Sequence, residues 1–560
     1  MKTISSSLRK LRGFSPSFVL LLIWWQALYW TYSTAWPRPF DDWKNTLFYV
    51  GSGLFALWFL WRDRASLQFR LNAPFLFFIG YLLACLISLN KPVYEEWLAI
   101  ARLILWGGTV WLLTRTSNAE WKFLIKMAVL SAALIALLNW LSLHGIDPWP
   151  HFPREIYPPI GHMTYYGDFI GLHLPFALYL IWVSGKWRER LLWLSALALL
   201  VAGLWISGTR ASLVGIFSAF VLGGILSVTS GIISWKRLSL IGMVLMALFG
   251  VVHQLQPQGR RDQPTFERLR LIFQGGKDPN ISDRLLEYGA TLKMIEQKPL
   301  KGWGIGSFRF VYPEFGQPSI FSWFYHPHNE VLHQASEVGF VGLFFFLFFW
   351  GWFFVWGAKK VAHPIDRSNK IELIVPLMGI TVGLMSWQFS TTFLSPLIRS
   401  LTALYLAIFL KGILPVDKVK SHKAFGFFFG VVLFLATLFL AAYQASLYAV
   451  AKSYYQQDAV QGKRWVDLAY RLAPGAFDPL LRIVETETGQ EDYLYAEQKI
   501  RLLYQEYPHV SWALFYQAML ERERNHTESA IGLLQHALEN AAFFERARSE
   551  LELLKKRRHH

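Results

Sequence analysis

The stretch "LFFFLFFWGWFFVW", Leu343 to Trp356, decides the fold class of this chain. It carries no charged residue, and similar apolar runs recur along the sequence, each about the 20 residues that cross a bilayer core of about 30 Å. A soluble chain of 560 residues would instead show amphipathic patterning over several domains. A membrane β-barrel would show short alternating strands. The sequence therefore predicts an all-α, polytopic membrane protein.

The hydropathy pattern predicts about thirteen membrane spans. They are residues 17–36, 45–61, 72–89, 96–114, 122–143, 164–184, 191–207, 211–229, 238–254, 331–356, 371–389, 399–414 and 424–443. The first run follows the basic segment "LRKLRG", as a signal peptide would. It has no small-residue cleavage site and continues through aromatic residues, so we expect an uncleaved first span.

The net charge of +17 comes from Lys and Arg in the short loops between spans, as the positive-inside rule expects. All the basic loops lie on one side of the membrane if the N-terminus is cytoplasmic. The loops at 144–163 and 255–330 and the C-terminal tail then face outward. Nucleic-acid binding would need one contiguous basic face and a folded reading module, and the sequence shows neither. We expect contacts with membrane lipids and none with nucleic acid.

Hydropathy divides the chain into four regions. Residues 1–254 hold nine spans, 255–330 a large periplasmic loop, 331–443 four spans, and 444–560 an amphipathic helical domain. In this last region "AYRLAP" and "RLLYQEYP" end about 34 residues apart, which is the tetratricopeptide period. We predict tetratricopeptide-like helix pairs that offer a surface to a protein partner. A generic helical tail is the alternative.

The sequence has no phosphate-binding loop, dinucleotide fingerprint or Asp-x-Asp pair. Its one cysteine, Cys85, lies in an apolar run, so neither a disulfide framework nor a thiolate metal site is expected. We expect no cofactor. Any chemistry must act on a substrate that arrives already activated, outside the cytoplasm.

The outward loop at 255–330 is rich in arginine: Arg260, Arg261, Arg268, Arg270 and Arg284. Arginine forms bidentate hydrogen bonds with phosphate, so this loop suits a lipid pyrophosphate. Solvated loop arginines and contacts with lipid headgroups are the alternatives. We expect Arg284 to open a helix after "DPNISD", where the helix dipole favours an anion. Arg284 is therefore the strongest anion-binding candidate of the loop.

A further cation, Arg210 in "WISGTRASLVG", lies between two apolar runs at the predicted outward face. An ionisable residue there is either functional or extends its charge to the membrane surface. The segment at 154–169 adds weaker candidates on the same face: Arg154, His162, Tyr165, Tyr166 and Asp168. Tyrosine is enriched at membrane interfaces in any case.

The stretch "YHPHNEVLHQASEVGFVG" at 325–342 holds three histidines. A His-x-His pair of His326 and His328 needs one or two more ligands, and no thiol is available. On a helix that starts near His328, His333 would lie five residues away and off the i+4 face. We therefore expect no metal site.

A neutral imidazole needs no metal to act as a general base toward a sugar hydroxyl. His328 is the candidate for this role. Asn329 and Glu337 are expected to position it or to bind substrate hydroxyls, with His326 in a supporting role.

The segment "HNEVLHQASEVGFVG" contains His-Asn, nine residues, Gly339, two residues and Gly342. This resembles the signature of the O-antigen ligase and polymerase superfamily of bacterial surface polysaccharide enzymes. "SDRLLEYGATLKMIEQKPLKGWGIGSF" and "SGTRASLVG" resemble two other motifs of that superfamily, in the same order. The resemblance covers about residues 160–350.

The resemblance implies a metal-independent, inverting glycosyltransferase of the GT-C type in the bacterial inner membrane. Such an enzyme moves a glycan from undecaprenyl pyrophosphate to an acceptor on the periplasmic side. By motif, His328 is implied as the catalytic base or acceptor-orienting residue. Arg210 and Arg284 are implied to bind the pyrophosphate leaving group, whose charge dominates such a transfer.

The motifs concern the donor and leave the acceptor open: lipid A core for ligases, a growing glycan for polymerases, or a protein hydroxyl for O-oligosaccharyltransferases. The tail departs from compact ligases and weakens the lipid A assignment. A lipid-linked oligosaccharide flippase is the alternative of another class, but it would show inverted repeats and charges at the membrane midplane. A non-catalytic scaffold would not need an intact His-Asn motif.

Overall fold

A computed structural model gives the structure of residues 15–32, 41–62, 73–89, 94–146, 148, 157–255, 279–316, 326–363, 366–413, 423–488, 493–541 and 544–558. Within these ranges the chain forms α-helices and two short 3₁₀ helices, with no β-strand. The predicted all-α class is confirmed.

The membrane part and its large loop contain fifteen described helices. In chain order they are α1 Pro16–Trp30, α2 Asp41–Arg62, α3 Ala73–Ser88, α4 Tyr94–Thr114, α5 Asn118–Leu143, α6 Met163–Val183, α7 Trp187–Ser207, α8 Arg210–Thr229, α9 Trp235–Leu255, α10 Pro279–Gln297, α11 Phe308–Val311, α12 Glu330–Ala362, α13 Arg367–Ser386, α14 Pro396–Ile413 and α15 Lys423–Tyr454. All except α10 and α11 overlap a predicted span.

By length and composition, nine helices of the described chain can cross a membrane: α4 to α8, α12 to α14, and α15 from Phe428 onward. The helices α1 and α3 are shorter apolar helices. These findings confirm a polytopic membrane protein. The count of thirteen spans stays a prediction.

Local sequence explains two of the helix boundaries. Ser117 and Glu120 cap the start of α5 reciprocally, each side chain bonding the other's backbone N–H, a device that stabilises a helix start by about 1 kcal/mol. Only Gly208 and Thr209 separate α7 from α8, so Arg210 is the first residue of α8.

The long helix α12 is interrupted at Gly339, whose φ of 65° and ψ of −175° are not helical. The segment "PLKGWGIGSF" at 299–308, here called the glycine turn, packs against this break. Four backbone hydrogen bonds join them: Trp303 N to Ser336 O (3.0 Å), Gly304 N to Glu337 O (2.8 Å), Phe340 N to Pro299 O (2.7 Å) and Val341 N to Leu300 O (3.4 Å). The turn thus supplies partners that a broken helix in a membrane protein must find within the protein.

Only glycine fits at the two closest points of this contact. A Cβ on Gly339 would lie 2.2 Å from Leu300 O, and a Cβ on Gly302 would lie 2.3 Å from Glu337 O. Both glycines have positive φ, at 65° and 73°, which L side chains rarely adopt. The break therefore explains the first glycine of the signature motif.

The C-terminal region consists of six described helices: α16 Ala459–Leu472, α17 Phe477–Thr488, α18 Tyr493–Glu506, α19 Trp512–Glu523, α20 Thr527–Asn540 and α21 Glu545–Arg558. Each packs against the next along the chain, around a core that also includes Phe310 of α11. The predicted boundary at residue 444 falls inside α15, which continues to Tyr454. The tetratricopeptide repeat itself stays a prediction.

The C-terminal domain is attached to the membrane part through Glu95 at the start of α4. The Glu95 carboxylate accepts hydrogen bonds from Phe477 N at 2.7 Å and from the Tyr507 hydroxyl. It also pairs with the Arg309 guanidinium at 3.3 Å. The domain is therefore held directly against α4 and the residues that follow the glycine turn.

Replacing Gly339 with alanine should destabilise the protein by about 1 to 3 kcal/mol, because the new side chain needs a strained φ and overlaps Leu300 O. Alanine usually stabilises a helix relative to glycine by about 1 kcal/mol. Gly351→Ala, in the same helix with open space around its Cβ, is the matched control and should be neutral or stabilising. Thermal unfolding of the purified detergent-solubilised protein measures both; equal melting temperatures would contradict the proposed role of the break.

Candidate functional site

A cavity of about 540 Å³ lies between α3, α4, α12, α14 and the glycine turn. His326 and His328 lie on its wall, together with Tyr165 from the start of α6. We call it the central cavity. The segment at 326–329 that leads into α12 therefore brings the predicted catalytic histidine to a space large enough for part of a ligand.

His328 is held in an unusual geometry. Its φ is 45°, in the left-handed region that costs a residue other than glycine about 1 to 3 kcal/mol. Its Nδ1 lies 3.0 Å from Oε2 of Glu287 in α10, a carboxylate that is fully buried, while the His328 ring is 29% exposed. With the carboxylate as acceptor, Nδ1 carries the proton and donates it, so Nε2 has the lone pair.

Hydrogen bonds fix the backbone around His328. The Asn329 side chain caps α12 by accepting from Leu332 N at 2.9 Å, and its amide donates to Gln388 O at 3.4 Å. The Tyr288 hydroxyl lies 3.4 Å from both His328 O and Gln388 O. Asn329, predicted to position the histidine, thus fixes the helix start that directly follows it.

Sequence reasoning missed Glu287. It stands 41 residues before His328, so no local pattern joins them. The one sequence feature that could have pointed to Glu287 is its position three residues after Arg284, because this spacing places both side chains on one helix face. Burial raises the pKa of Glu287, whereas the His328 hydrogen bond and the charges of His328 and Arg284 lower it; the net shift is upward.

The sequence predicted that Arg284 opens its helix, and this prediction is wrong. The described helix α10 begins at Pro279, which makes Arg284 its sixth residue. The helix-dipole argument for the first turn therefore does not apply to it. Its charge instead acts on Glu287 and on Tyr288, so it lies close to the carboxylate that holds His328.

Arg210 is at the first position of α8, at a span start as predicted. The Thr209 hydroxyl before it donates to Met163 O at 3.2 Å. This joins the start of α8 to the start of α6, the helix that carries Tyr165. Among the described residues on the wall of the central cavity, neither Arg210 nor Arg284 is present.

Asp168, a weaker candidate from the segment at 154–169, is buried and joins helices. Its carboxylate accepts hydrogen bonds from the hydroxyls of Ser212, Ser386 and Thr392. These contacts link α6 to α8, α13 and the segment before α14. The described contacts of Asp168 are thus structural. Arg154, Arg260, Arg261, Arg268 and Arg270 lie outside the described residues.

The other histidines form a buried cluster. Glu330, His333 and Glu337 are spaced i, i+3 and i+7 in α12 and therefore share one helix face. His326 folds back onto this face, with Nε2 2.8 Å from Glu330 Oε2 and its ring centroid 3.9 Å from that of His333. The expected helix start was wrong by two residues, since Asn329 caps the helix.

His326, Glu330 and His333 place three ligand atoms within 4.8 Å of one another, a set with the chemistry of a zinc site. Several of their polar atoms already have partners, while Nδ1 of His326 and Nδ1 of His333 are buried without a hydrogen-bond partner among the described residues. Glu330 already bonds His326 and Gln334, and His333 Nε2 lies 3.2 Å from Glu337 Oε1. Burial, together with the neighbouring His333, lowers the pKa of His326 to about 4, so this imidazole stays neutral at physiological pH.

Glu337 is committed to the glycine turn. Its two carboxylate oxygens accept from Gly306 N at 2.8 Å and Phe308 N at 2.9 Å, besides contacting His333. Glu337, predicted to assist His328 or bind hydroxyls, lines the central cavity and anchors the turn through these contacts.

Three arginines that sequence reasoning missed also line the central cavity: Arg102 of α4, Arg309 of α11 and Arg399 of α14. Arg309 pairs with Glu95. Arg102 and Arg399 lie inside predicted spans, and an ionisable residue there is a functional signal in its own right. That signal is present in the sequence itself.

The segment that contains the site matches a known family. The O-antigen ligase family model matches residues 195–347, from within α7 to the part of α12 just beyond its break. The matched segment includes Arg210, Arg284 and His328. A comparison with curated proteins found no match. The match supports a place for this chain in the O-antigen ligase/polymerase superfamily of membrane enzymes that assemble bacterial surface polysaccharides.

Proposed function

We propose that this protein is a metal-independent, inverting glycosyltransferase that moves a glycan from undecaprenyl pyrophosphate to an acceptor hydroxyl. One observation carries the proposal: His328 lines the central cavity with its ring partly exposed, while buried Glu287 holds the Nδ1 atom of that ring. A base oriented by a buried carboxylate is a recurring arrangement for activating a hydroxyl.

In the proposed reaction, His328 Nε2 accepts the proton of the acceptor hydroxyl as its oxygen attacks the anomeric carbon of the donor glycan. The bond between that carbon and the pyrophosphate oxygen breaks, and undecaprenyl pyrophosphate leaves with the electron pair. A single displacement of this kind inverts the anomeric centre. Glu287 stabilises the imidazolium that forms, and the proton then passes from His328 to solvent.

Arg284 and Arg210 are proposed to bind the pyrophosphate and to neutralise the charge that develops as it leaves. The proximity of Arg284 to Glu287 supports this assignment, because it brings a guanidinium close to the carboxylate that orients His328. For Arg210 the support is its place at the start of α8, next to the helix start that carries Tyr165.

We place the reaction at the periplasmic face of the inner membrane, with a cytoplasmic N-terminus and a periplasmic C-terminal domain. The basic loops between spans support this orientation. The acceptor is a lipid, a glycan or a protein, and the helices after α15 are proposed to bind a protein partner.

His328→Asn tests the proposal directly. Asparagine tolerates the left-handed backbone that His328 adopts, so the variant should fold and insert normally. Losing a general base should lower the rate of glycan transfer about 10²- to 10⁴-fold. Transfer is measured with purified protein and radiolabelled lipid-linked glycan.

Two further measurements complete that experiment. His326→Gln alters the neutral imidazole of the cluster and should retain more transfer than His328→Asn. Wild-type protein assayed with a chelator should keep its activity. Normal transfer by His328→Asn would refute the assignment of the base, and loss of activity in the chelator would refute metal independence.

Arg284→Gln should raise KM for the lipid-linked donor by about tenfold or more, because a bidentate charged contact to phosphate is lost. Arg284→Lys keeps the charge without the planar fork and should recover part of the affinity. Lys293→Gln, which removes a positive charge at an exposed position of the same helix, is the matched control. A change in acceptor KM alone would show that Arg284 does not bind the pyrophosphate.

The buried Glu287 gives the reaction a pH dependence. It must be ionised to accept the hydrogen bond from His328 Nδ1 and to stabilise the imidazolium, and burial raises the pKa of Glu287. As pH falls, the carboxylate is therefore lost at a higher pH than for an ordinary glutamate, and kcat/KM should decline through that range.

Glu287→Gln cannot titrate, so the variant should lose this inflection and work at least about tenfold more slowly at neutral pH. The measurement is kcat/KM from about pH 4 to about pH 8 for wild type, Glu287→Gln and Glu296→Gln. Glu296 is exposed on the same helix, and its variant should match wild type. If Glu287→Gln kept the same inflection, the inflection would belong to the titration of another group.

A further inference from the structure

The buried histidine cluster at the start of α12 offers three ligand atoms to a metal ion. His326, Glu330 and His333 each place one such atom within 4.8 Å of the other two. These residues are only 1%, 3% and 8% exposed, so water competes little for their polar atoms. His328, the partner of His326 in the His-x-His pattern of the sequence, is not among the three.

The hydrogen bonds of both imidazoles leave one nitrogen of each ring with a lone pair. Nε2 of His326 lies 2.8 Å from Glu330 Oε2, and Nε2 of His333 lies 3.2 Å from Glu337 Oε1. Because a carboxylate accepts, Nε2 carries the proton in each neutral ring and Nδ1 does not. Both Nδ1 atoms are buried without a hydrogen-bond partner among the described residues, which is a costly arrangement. A cation bound at these nitrogens removes that cost.

The contacts of the two Nε2 atoms are those that metal-binding histidines show. Such a histidine usually donates its other ring N–H to a carboxylate, which fixes the tautomer and the ring orientation. Glu330 occupies this position for His326, and Glu337 occupies it for His333. Glu337 is itself held by backbone N–H groups of the glycine turn. The outer shell of a metal site is therefore present around the cluster.

The spacing of the ligand atoms fits zinc. His333 Nδ1 lies 3.8 Å from Glu330 Oε1, and tetrahedral zinc with bonds of about 2.0 to 2.2 Å holds its ligand atoms about 3.4 Å apart. Glu330 Oε1 also accepts from Gln334 at 2.7 Å, but a carboxylate oxygen has a second lone pair for a metal. All three ligand residues line the central cavity, which gives the ion a path of entry and leaves its fourth position to water.

The surrounding charges favour a metal that prefers nitrogen ligands over calcium or magnesium. The carboxylates of Glu330 and Glu337 contact the cluster, and the positive charge of Arg399 acts on Glu330. A hard cation held by charge alone competes with this guanidinium for Glu330. Zinc gains in addition from two imidazole nitrogens.

We propose that His326, Glu330 and His333 bind a zinc ion. His326 precedes His328 by two residues and Glu330 follows it by two, so the ion joins both sides of the segment in which His328 has its positive φ. The hydrogen bond from His326 to Glu330 already joins these sides. The ion therefore adds stability to this segment and takes no part in glycan transfer. The inference does not depend on the proposed transferase function.

A proton is the competing occupant of the cluster. With Nδ1 protonated, His333 faces Glu330 Oε1 across 3.8 Å and needs no metal. That proton leaves Nδ1 of His326 without a partner among the described residues, whereas a zinc ion engages both nitrogens. This difference favours the metal, and the experiment must separate the two occupants.

The test uses full-length protein, purified in detergent with a tag that contains no histidine. Bound zinc is measured by mass spectrometry after incubation with Zn²⁺ and gel filtration, and Co²⁺ serves as a spectroscopic probe of tetrahedral coordination. Wild type should retain one zinc per chain and show the cobalt bands. Zinc should also raise its melting temperature by a few degrees over that of chelator-treated protein, and Mg²⁺ should not.

His333→Gln and His326→Gln each remove one proposed ligand. Either change should weaken zinc binding at least about a hundredfold, since loss of an outer-shell partner alone costs about 10- to 100-fold. His526→Gln is the matched control, because His526 is an exposed histidine that lies 2.8 Å from the carboxylate of Glu521. This variant should bind zinc as wild type does. Gel filtration and melting in chelator check the folding of each variant, and the wild-type cobalt spectrum tests the site without any substitution.

Two results would overturn the zinc site. If wild type retained no stoichiometric zinc, a proton on His333 would be the only occupant of the cluster. If wild type and both ligand variants retained equal zinc, the metal would be bound by other histidines.

Glycan transfer by the same chelator-treated protein separates this proposal from the transferase function. One zinc per chain, with transfer unchanged after its removal, supports both. No zinc with normal transfer overturns the zinc site alone. Transfer that stops when zinc is removed and returns when it is restored overturns the purely stabilising role, together with the metal independence of the reaction.

Discussion

The interruption of α12 at Gly339 is the constraint on which the site depends. A break in a membrane helix exposes backbone groups that lipid cannot satisfy, and here the glycine turn satisfies them. The turn follows α10 directly, so packing it into the break also carries α10 toward the start of α12. That brings Glu287 within 3.0 Å of His328 Nδ1. The hydrogen bonds between the glycine turn and the break thus determine both the path of α12 and the position of Glu287 beside His328.

The sequence predicted features that local pattern encodes and missed those that depend on distant contacts. Apolar runs of about 20 residues give the spans because bilayer thickness sets their length. The residues of the His-Asn motif were found because they adjoin one another. His328 and Glu287 are 41 residues apart, so no local sequence pattern indicates that they pair. The start of α12 was misplaced because Asn329 acts as a cap, which its neighbours alone did not reveal.

The role of a polar side chain at membrane depth depends on which hydrogen-bond and charge partners surround it. Asp168 and Arg399 are both buried in spans, and the same sequence rule flags both as functional. Asp168 is surrounded by hydroxyls from three neighbouring segments, which accounts for it structurally. Arg399 hydrogen-bonds a carbonyl and a tyrosine, and the charge of Glu330 acts on it without a direct ion pair among the described residues. The difference in partners separates a structural residue from one that lines the central cavity.

The C-terminal domain directly contacts the elements that form the central cavity. Glu95, which holds the domain through Phe477 and Tyr507, lies two turns before Arg102 on α4. His509 of the domain also pairs with Glu314, just beyond the glycine turn, at 2.6 Å. Because the domain contacts α4 and the segment that follows the turn, it braces two walls of the central cavity. The tail therefore has a structural reason to be present that is separate from any partner it binds.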